Sequence, residues 1–235
     1  RFTAAGTVNS AATTSVQVNA GLAATVTITT QPAATVQTGV VFPTVPVVTV
    51  TDGGGNPVAG QAVIVSVVPP GAALTFTAGT ATTNASGIAT FAGLVASGTI
   101  GARTLQFTAG TAVSVPSTTV TVNGGPPATV TIVFQPAAAV QSGVPFPTVP
   151  VVTVTDGIGN PVANQAVTVS VFTGVALTFT NGTATTDASG VATFTGLSAA
   201  GVIGARTLKF TAGTAVSVAS SNVRVDAGLP KTVTI

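Results

Sequence analysis

Chemistry at a protein site needs groups that hold protons, metals or reactive electron pairs, and this chain carries few. Its 235 residues include four acids, all Asp, six Lys or Arg, and no His, Cys, Met, Trp or Tyr. General acid–base catalysis and metal binding draw on His, Cys or clustered carboxylates. Only one carboxylate position recurs along the chain. Asp52 and Asp156 each open a D-x-x-G-N-P-V turn, ending at Val58 and Val162. The other acids do not repeat: Asp187 corresponds to Asn84, and Asp226 to Asn123 and Asn19. One carboxylate per turn makes no acid–base pair and supplies little of a calcium shell of about 6–8 oxygens. Asp52 and Asp156 are therefore at most weak metal candidates, in need of backbone carbonyls to complete a shell. The spacing favours a structural part, with Asp accepting from backbone N–H groups two residues on, as in an Asx-turn. Asn56 and Pro57, and likewise Asn160 and Pro161, complete these structural turns. No catalytic residue and no cofactor is expected, and the chain reads as a non-enzyme.

Arg103 and Arg206 also recur, each in I-G-A-R-T-L ahead of a predicted late strand. Their repetition among so few cations suggests a specific partner, either Asp52 or Asp156 or a loop carbonyl. Lys209 corresponds to Gln106 and Arg1, so a Lys–Asn isopeptide crosslink lacks a repeated lysine. The sequons at Asn84 and Asn181 fall at non-equivalent places.

The elements that hold these residues read as strands. TVTIT at 25–29, VVTVT at 47–51, AVIVSV at 62–67, TLQFTA at 104–109 and TTVTV at 118–122 alternate apolar with polar residues. That period of two, in β-branched residues, predicts half-buried strands. DGGGNP at 52–57, PPG at 69–71, NASG at 84–87 and GTIGA at 98–102 supply turns between them. Many short strands with regular turns predict an all-β fold, an antiparallel β-sandwich. Eight Phe form four recurring pairs and are expected in the core: Phe42 with Phe146, Phe76 with Phe179, Phe91 with Phe194, and Phe107 with Phe210.

The strands themselves repeat. Residues 31–68 return almost letter for letter at 135–172, and 74–91 return at 177–194 after a one-residue deletion near Gly174. Phe2–Ile28 recurs as Phe107–Ile132 and again as Phe210–Ile235. A period near a hundred residues means an array of domain-sized units. The expected organisation is the C-terminal strands of a preceding repeat at 1–20, full repeats at 21–124 and 125–227, and the first strand of a following repeat at 228–235. This arrangement predicts a window cut from a longer fibre, continued covalently or by strand donation. The junctions VNAGLAATVTI, VNGGPPATVTI and VDAGLPKTVTI are short and hold Gly and Pro, so they predict a semi-rigid rod.

Composition sets the limits. Charged residues make up 4%, yet hydrophobic residues reach 46% and mean hydropathy is +0.69, so the chain can bury a core. A net charge of +2 is no nucleic-acid footprint, and no run is long and apolar enough to insert in a membrane.

Three segments in order, VTVTDGxGNPVxxQxVxVSV, TTxASGxATF and IGARTLxFTAG, resemble the bacterial immunoglobulin-like repeats of invasin- and intimin-type surface proteins and adhesin stalks. The resemblance rests most on Asp52–Val58, Asp156–Val162, Asn84–Thr90 and Asp187–Thr193. It implies tandem Ig-like sandwiches in a stalk or fibre at the cell surface, without catalysis. Stalks of this class usually carry more charge, and its scarcity here predicts association through Thr, Ala and Val surfaces. The expected partners are copies of the chain itself, end to end and laterally. The alternative is an adhesin repeat that binds a glycan or another surface ligand.

Overall fold

The computed structural model describes residues 17–68 and 74–228, and these fold as strands, turns and loops. The first half runs β1 (Thr25–Thr30), β2 (Thr35–Gln37), β3 (Val47–Thr51), β4 (Ala62–Val68), β5 (Leu74–Thr77) and β6 (Thr80–Thr82). It continues with β7 (Ile88–Thr90), β8 (Val95–Gly98), β9 (Gly101–Ala109), β10 (Ala112–Val113) and β11 (Val120–Asn123). The second half repeats the order as β12 (Thr129–Phe134), β13 (Ala139–Gln141), β14 (Val151–Thr155), β15 (Ala166–Thr173), β16 (Thr178–Thr180) and β17 (Thr183–Thr185). Then come β18 (Val191–Thr193), β19 (Ser198–Ala200), β20 (Gly204–Ala212), β21 (Ala215–Val216) and β22 (Val223–Asp226).

Alternation decides which face of each strand is buried. In VVTVT of β3, Val48 and Val50 are fully buried while the residues between them are half-exposed. One face of β1–β3–β7 therefore packs on one face of the sheet ordered β2–β11–β9–β4–β6, with β10 paired to β9. The second half forms the same two sheets, β12–β14–β18 and β13–β22–β20–β15–β17, with β21 paired to β20. Each half has its own core. At its centre a pair of Phe rings lies tilted, Phe91 on Phe107 at 4.9 Å and Phe194 on Phe210 at 5.0 Å between centroids. That spacing is in the favoured range for edge-tilted aromatic pairs.

Two features depart from the expectation. The sandwich is not wholly antiparallel, because β2 runs parallel to β11 and β13 parallel to β22. The segment after β1 turns at Gln31–Pro32, leaves the small sheet and joins the large one while keeping its direction. Gln31 Oε1 holds the crossing by accepting from Thr118 N at 3.0 Å, as Gln135 does from Ser221 N at 2.9 Å.

The second concerns one recurring pair of phenylalanines. Phe76 and Phe179, expected in the core, are only half-buried. They lie on β5 and β16, which pair with β8 and β19 in separate two-stranded ribbons at the sandwich margin. Phe42 and Phe146 belong to the two cores and differ from the four central rings only in how they reach them. Both are buried, at 2% and 4% exposure, but they enter the core from loops, after β2 and after β13, rather than from strands. Phe146 is the less enclosed of the two. Backbone bonds to the opposite loop hold them in place, from Phe42 N to Leu94 O at 2.9 Å and from Phe146 N to Leu197 O at 2.8 Å. Phe134 and Phe172 are exposed.

Buried serines finish the large sheet. The chain after β10 leaves the regular ladder, and Ser114 Oγ and Ser117 Oγ accept from the amides of Phe107 and Leu105 at 3.0 and 2.9 Å. Ser217 and Ser220 do the same for Phe210 and Leu208. A buried amide without such a partner would cost about 1–3 kcal/mol.

Candidate functional site

The recurring carboxylates sit in turns that follow β3 and β14. Asp52 Oδ1 accepts from the amides of Gly54 and Asn56, both at 2.9 Å. Gly55, with φ of 81°, makes the reversal that brings Asn56 back. The Asn56 side-chain amide caps both oxygens, at 3.2 and 3.1 Å. Pro57 lies under Gly87, where a Cβ would stand 2.6 Å from the Val50 carbonyl oxygen and 3.0 Å from the Pro57 ring. Asp156, Asn160 and Pro161 repeat this turn, with Ile158 N and Asn160 N on Oδ1 at 3.0 and 2.9 Å.

Each carboxylate also reaches outside its turn. Asp52 Oδ2 accepts from Gly21 N at 2.8 Å, and Asp156 Oδ2 from Gly125 N at 2.9 Å. These glycines lie in the junctions that precede β1 and β12. Both Asp are buried, at 9% and 4% exposure. The Gly21 amide leads the Asn56 and Gly54 donors in holding the Asp52 carboxyl down at about 2. Around Asp156, burial pushes the carboxyl up, but the donors from Gly125, Asn160 and Ile158 together outweigh it and leave it below the ordinary range. Carboxylate oxygens ringed by N–H groups are poor cation ligands, because those dipoles oppose a positive charge. Among the described residues, no three His, Cys, Asp or Glu come together.

Asn84 and Asp187 make a simpler turn. Asn84 Oδ1 accepts from Ser86 N and Ile88 N, and Asp187 Oδ1 from Ser189 N and Val191 N. Only one oxygen is used, so an amide serves as well as a carboxylate. At Asp52 and Asp156 the second oxygen receives N–H donors too, and an Asn there would turn an NH₂ toward one of them.

The two arginines bind carbonyls rather than aspartates. Arg206, only 5% exposed, forks to Val175 O, Ala205 O and Val202 O, each at 2.8 Å, and ties two loops together. Arg103 donates to Ala102 O at 2.8 Å and to Thr99 O and Ile100 O at 3.2 and 3.3 Å. The ion pair of Arg224 with Asp226, at 2.8 Å, is exposed and contributes little.

At the junction between the halves, loops of both meet. Asn160 Nδ2 donates to Gly98 O of the first half at 3.0 Å as well as to Asp156 Oδ2 at 3.1 Å. Gly98 N in turn donates to Thr38 Oγ1 at 3.0 Å. A crevice of about 200 Å³, lined by Thr38, Ser97, Pro126, Asp156 and Ile158 among others, marks where they adjoin. The sequence placed Asp52 and Asp156 in turns but did not reveal the junction glycines as their partners. The signal was the recurrence of Gly21, Gly125 and Gly228 at one place in each junction.

No family model and no curated protein matches the chain. Among solved structures, FdeC, an Escherichia coli adhesin, aligns over 90% of this chain and 67% of its own, with TM-score 0.50 and 19% identity. At the level of fold, the chain is a tandem array of all-β, Ig-like sandwiches. The Yersinia pseudotuberculosis adhesin InvE aligns over 86% of this chain and 58% of its own, with TM-score 0.39 and 20% identity. Domains 4 and 5 of the S-layer protein SbsC align over 88% of this chain and 100% of theirs, with TM-score 0.34 and 16% identity.

Proposed function

We propose that the chain is a structural segment of an extracellular bacterial filament, stalk or surface fibre. It is built from tandem Ig-like units, of which 21–124 and 125–227 are two, and it self-associates through low-charge Thr, Ala and Val faces. What supports the reading is where the polar side chains go. Asp52, Asp156, Arg206 and the buried serines make their hydrogen bonds within the chain, most of them to its own backbone. Residues used this way build a scaffold, and the second sandwich repeats the first in doing so. The fold shared with the adhesin FdeC agrees with a place on the cell surface. The low charge supports association, since few like charges keep neighbouring copies apart.

Electron microscopy and sedimentation of the purified chain test this. Rod-shaped particles that associate as concentration rises are expected. A monodisperse chain that stays monomeric at high concentration would overturn self-association. Specific retention of the chain by a glycan array would favour the adhesive alternative.

A further inference from the structure

Because the halves are near copies, each residue of the first has a counterpart that differs chiefly in its surroundings. Thr38 is buried and Ser97, Gly98 and Ile100 are half-buried, whereas Ala200, Gly201 and Ile203, counterparts of the last three, are exposed. The difference maps the ground that the second sandwich covers on the first. One hydrogen bond crosses that ground, Asn160 Nδ2 to Gly98 O, while Gly125 N to Asp156 Oδ2 ties the linker to the second sandwich. In the first half, Asn56 Nδ2 turns both its contacts onto Asp52.

The junction glycines are held on both sides. A Cβ on Gly125 would stand 2.6 Å from Thr38 O, and one on Gly124 would overlap Pro161 O of the second sandwich. Neither glycine has a positive φ, so close approach, and not backbone conformation, excludes a side chain there. Ala20 occupies the place equivalent to Gly124 ahead of Asp52. It is exposed there, and the bond from Gly21 N to Asp52 Oδ2 is intact. The aspartate bond thus tolerates Ala at this place, while the approach of Pro161 does not.

We propose that this junction is a lock with a set angle. Asp156 and Asn160 fasten the second sandwich to the linker and to the first sandwich, and residue 124 selects how closely the two approach. A Gly124→Ala chain keeps the fastening but must displace the second sandwich as a body. An Asp156→Ala chain loses the acceptor for Gly125 N and lets the sandwiches move independently. The inference concerns the two sandwiches alone and stands whether or not the chain builds a fibre.

The chain has no Cys, so two introduced cysteines carry spin labels without background. Ile64→Cys on β4 and its exposed counterpart Thr168→Cys on β15 place one label on each sandwich. Double electron–electron resonance should give one narrow distance distribution in the otherwise unaltered chain. Gly124→Ala should move its centre and leave it narrow, and Asp156→Ala should broaden it. Asp52→Ala removes the same turn carboxylate away from this junction, so it should change neither centre nor width. Should Asp156→Ala fail to fold, Asn160→Ala decides, since the backbone amides of Gly125, Ile158 and residue 160 still cap Asp156 while the side-chain bridge from Gly98 O to Asp156 Oδ2 is lost. A broad distribution in the unaltered chain would overturn the lock. So would a narrow, unmoved distribution in both Asp156→Ala and Asn160→Ala.

Discussion

At the residue scale, the buried charged groups of this chain serve to satisfy backbone. Asp52 and Asp156 collect N–H groups that would otherwise go unpaired, and Arg206 collects carbonyls. The pH dependence follows from the two carboxylates, whose folded pKa values lie below those of the unfolded chain. The unfolded chain takes up protons first as pH falls, so their contribution is complete above about pH 4 and is lost on the way down toward pH 2. With no His and no Glu, the chain has no side chain that ordinarily changes charge between about pH 5 and 8. Melting temperatures by circular dichroism should therefore stay level from about pH 4 to 9 and drop between about pH 4 and 2. A drop already near pH 5–6 would contradict the hydrogen bonding described here. The turn at Asp52 was legible from its own few letters. Its bond to Gly21 was not, because it joins residues that only the folded chain brings side by side.

At the element scale, the strands were readable and their margins were not. Half-buried strands write their burial into alternate letters, and VVTVT or AVTVSV can be read no other way. The ribbons β5–β8 and β16–β19 carry the same alternation, yet they hang at the edge, so Phe76 looks like Phe91 in sequence and differs in burial. Phe42 and Phe146 show the converse, since each is buried with no alternating strand around it to announce the fact. Phe91→Ala or Phe107→Ala should cost about 3–5 kcal/mol, because each ring is fully enclosed and its loss leaves a cavity beside the other. Phe76→Ala should cost clearly less. Urea unfolding followed by circular dichroism measures all three, and an equal loss for Phe76 would place that ring deep in the core. The parallel pairing of β2 with β11 was hidden for another reason. The three letters TVQ of β2 do not state which sheet they join, and the anchor that holds the crossing, Thr118 N to Gln31 Oε1, comes from far along the chain.

At the scale of the whole molecule, the repeat was the plainest message of the sequence, and the contact between its copies was the least plain. Exposed valines recur with the period as well: Val113 and Val115 return as Val216 and Val218, on the same segment after the hairpin. If self-association uses such faces, Val115→Lys together with Val218→Lys should lower it without lowering the melting temperature. Sedimentation velocity against concentration reads the first effect and thermal unfolding the second; unchanged association would direct attention to another face. The bond from Asn160 to Gly98 has a consequence for how such a chain comes apart. Part of what holds one sandwich in place belongs to its neighbour, so the free energy of unfolding has a nearest-neighbour contribution. A failure in one unit then weakens the next, and damage spreads stepwise along the chain, as in a row of leaning books.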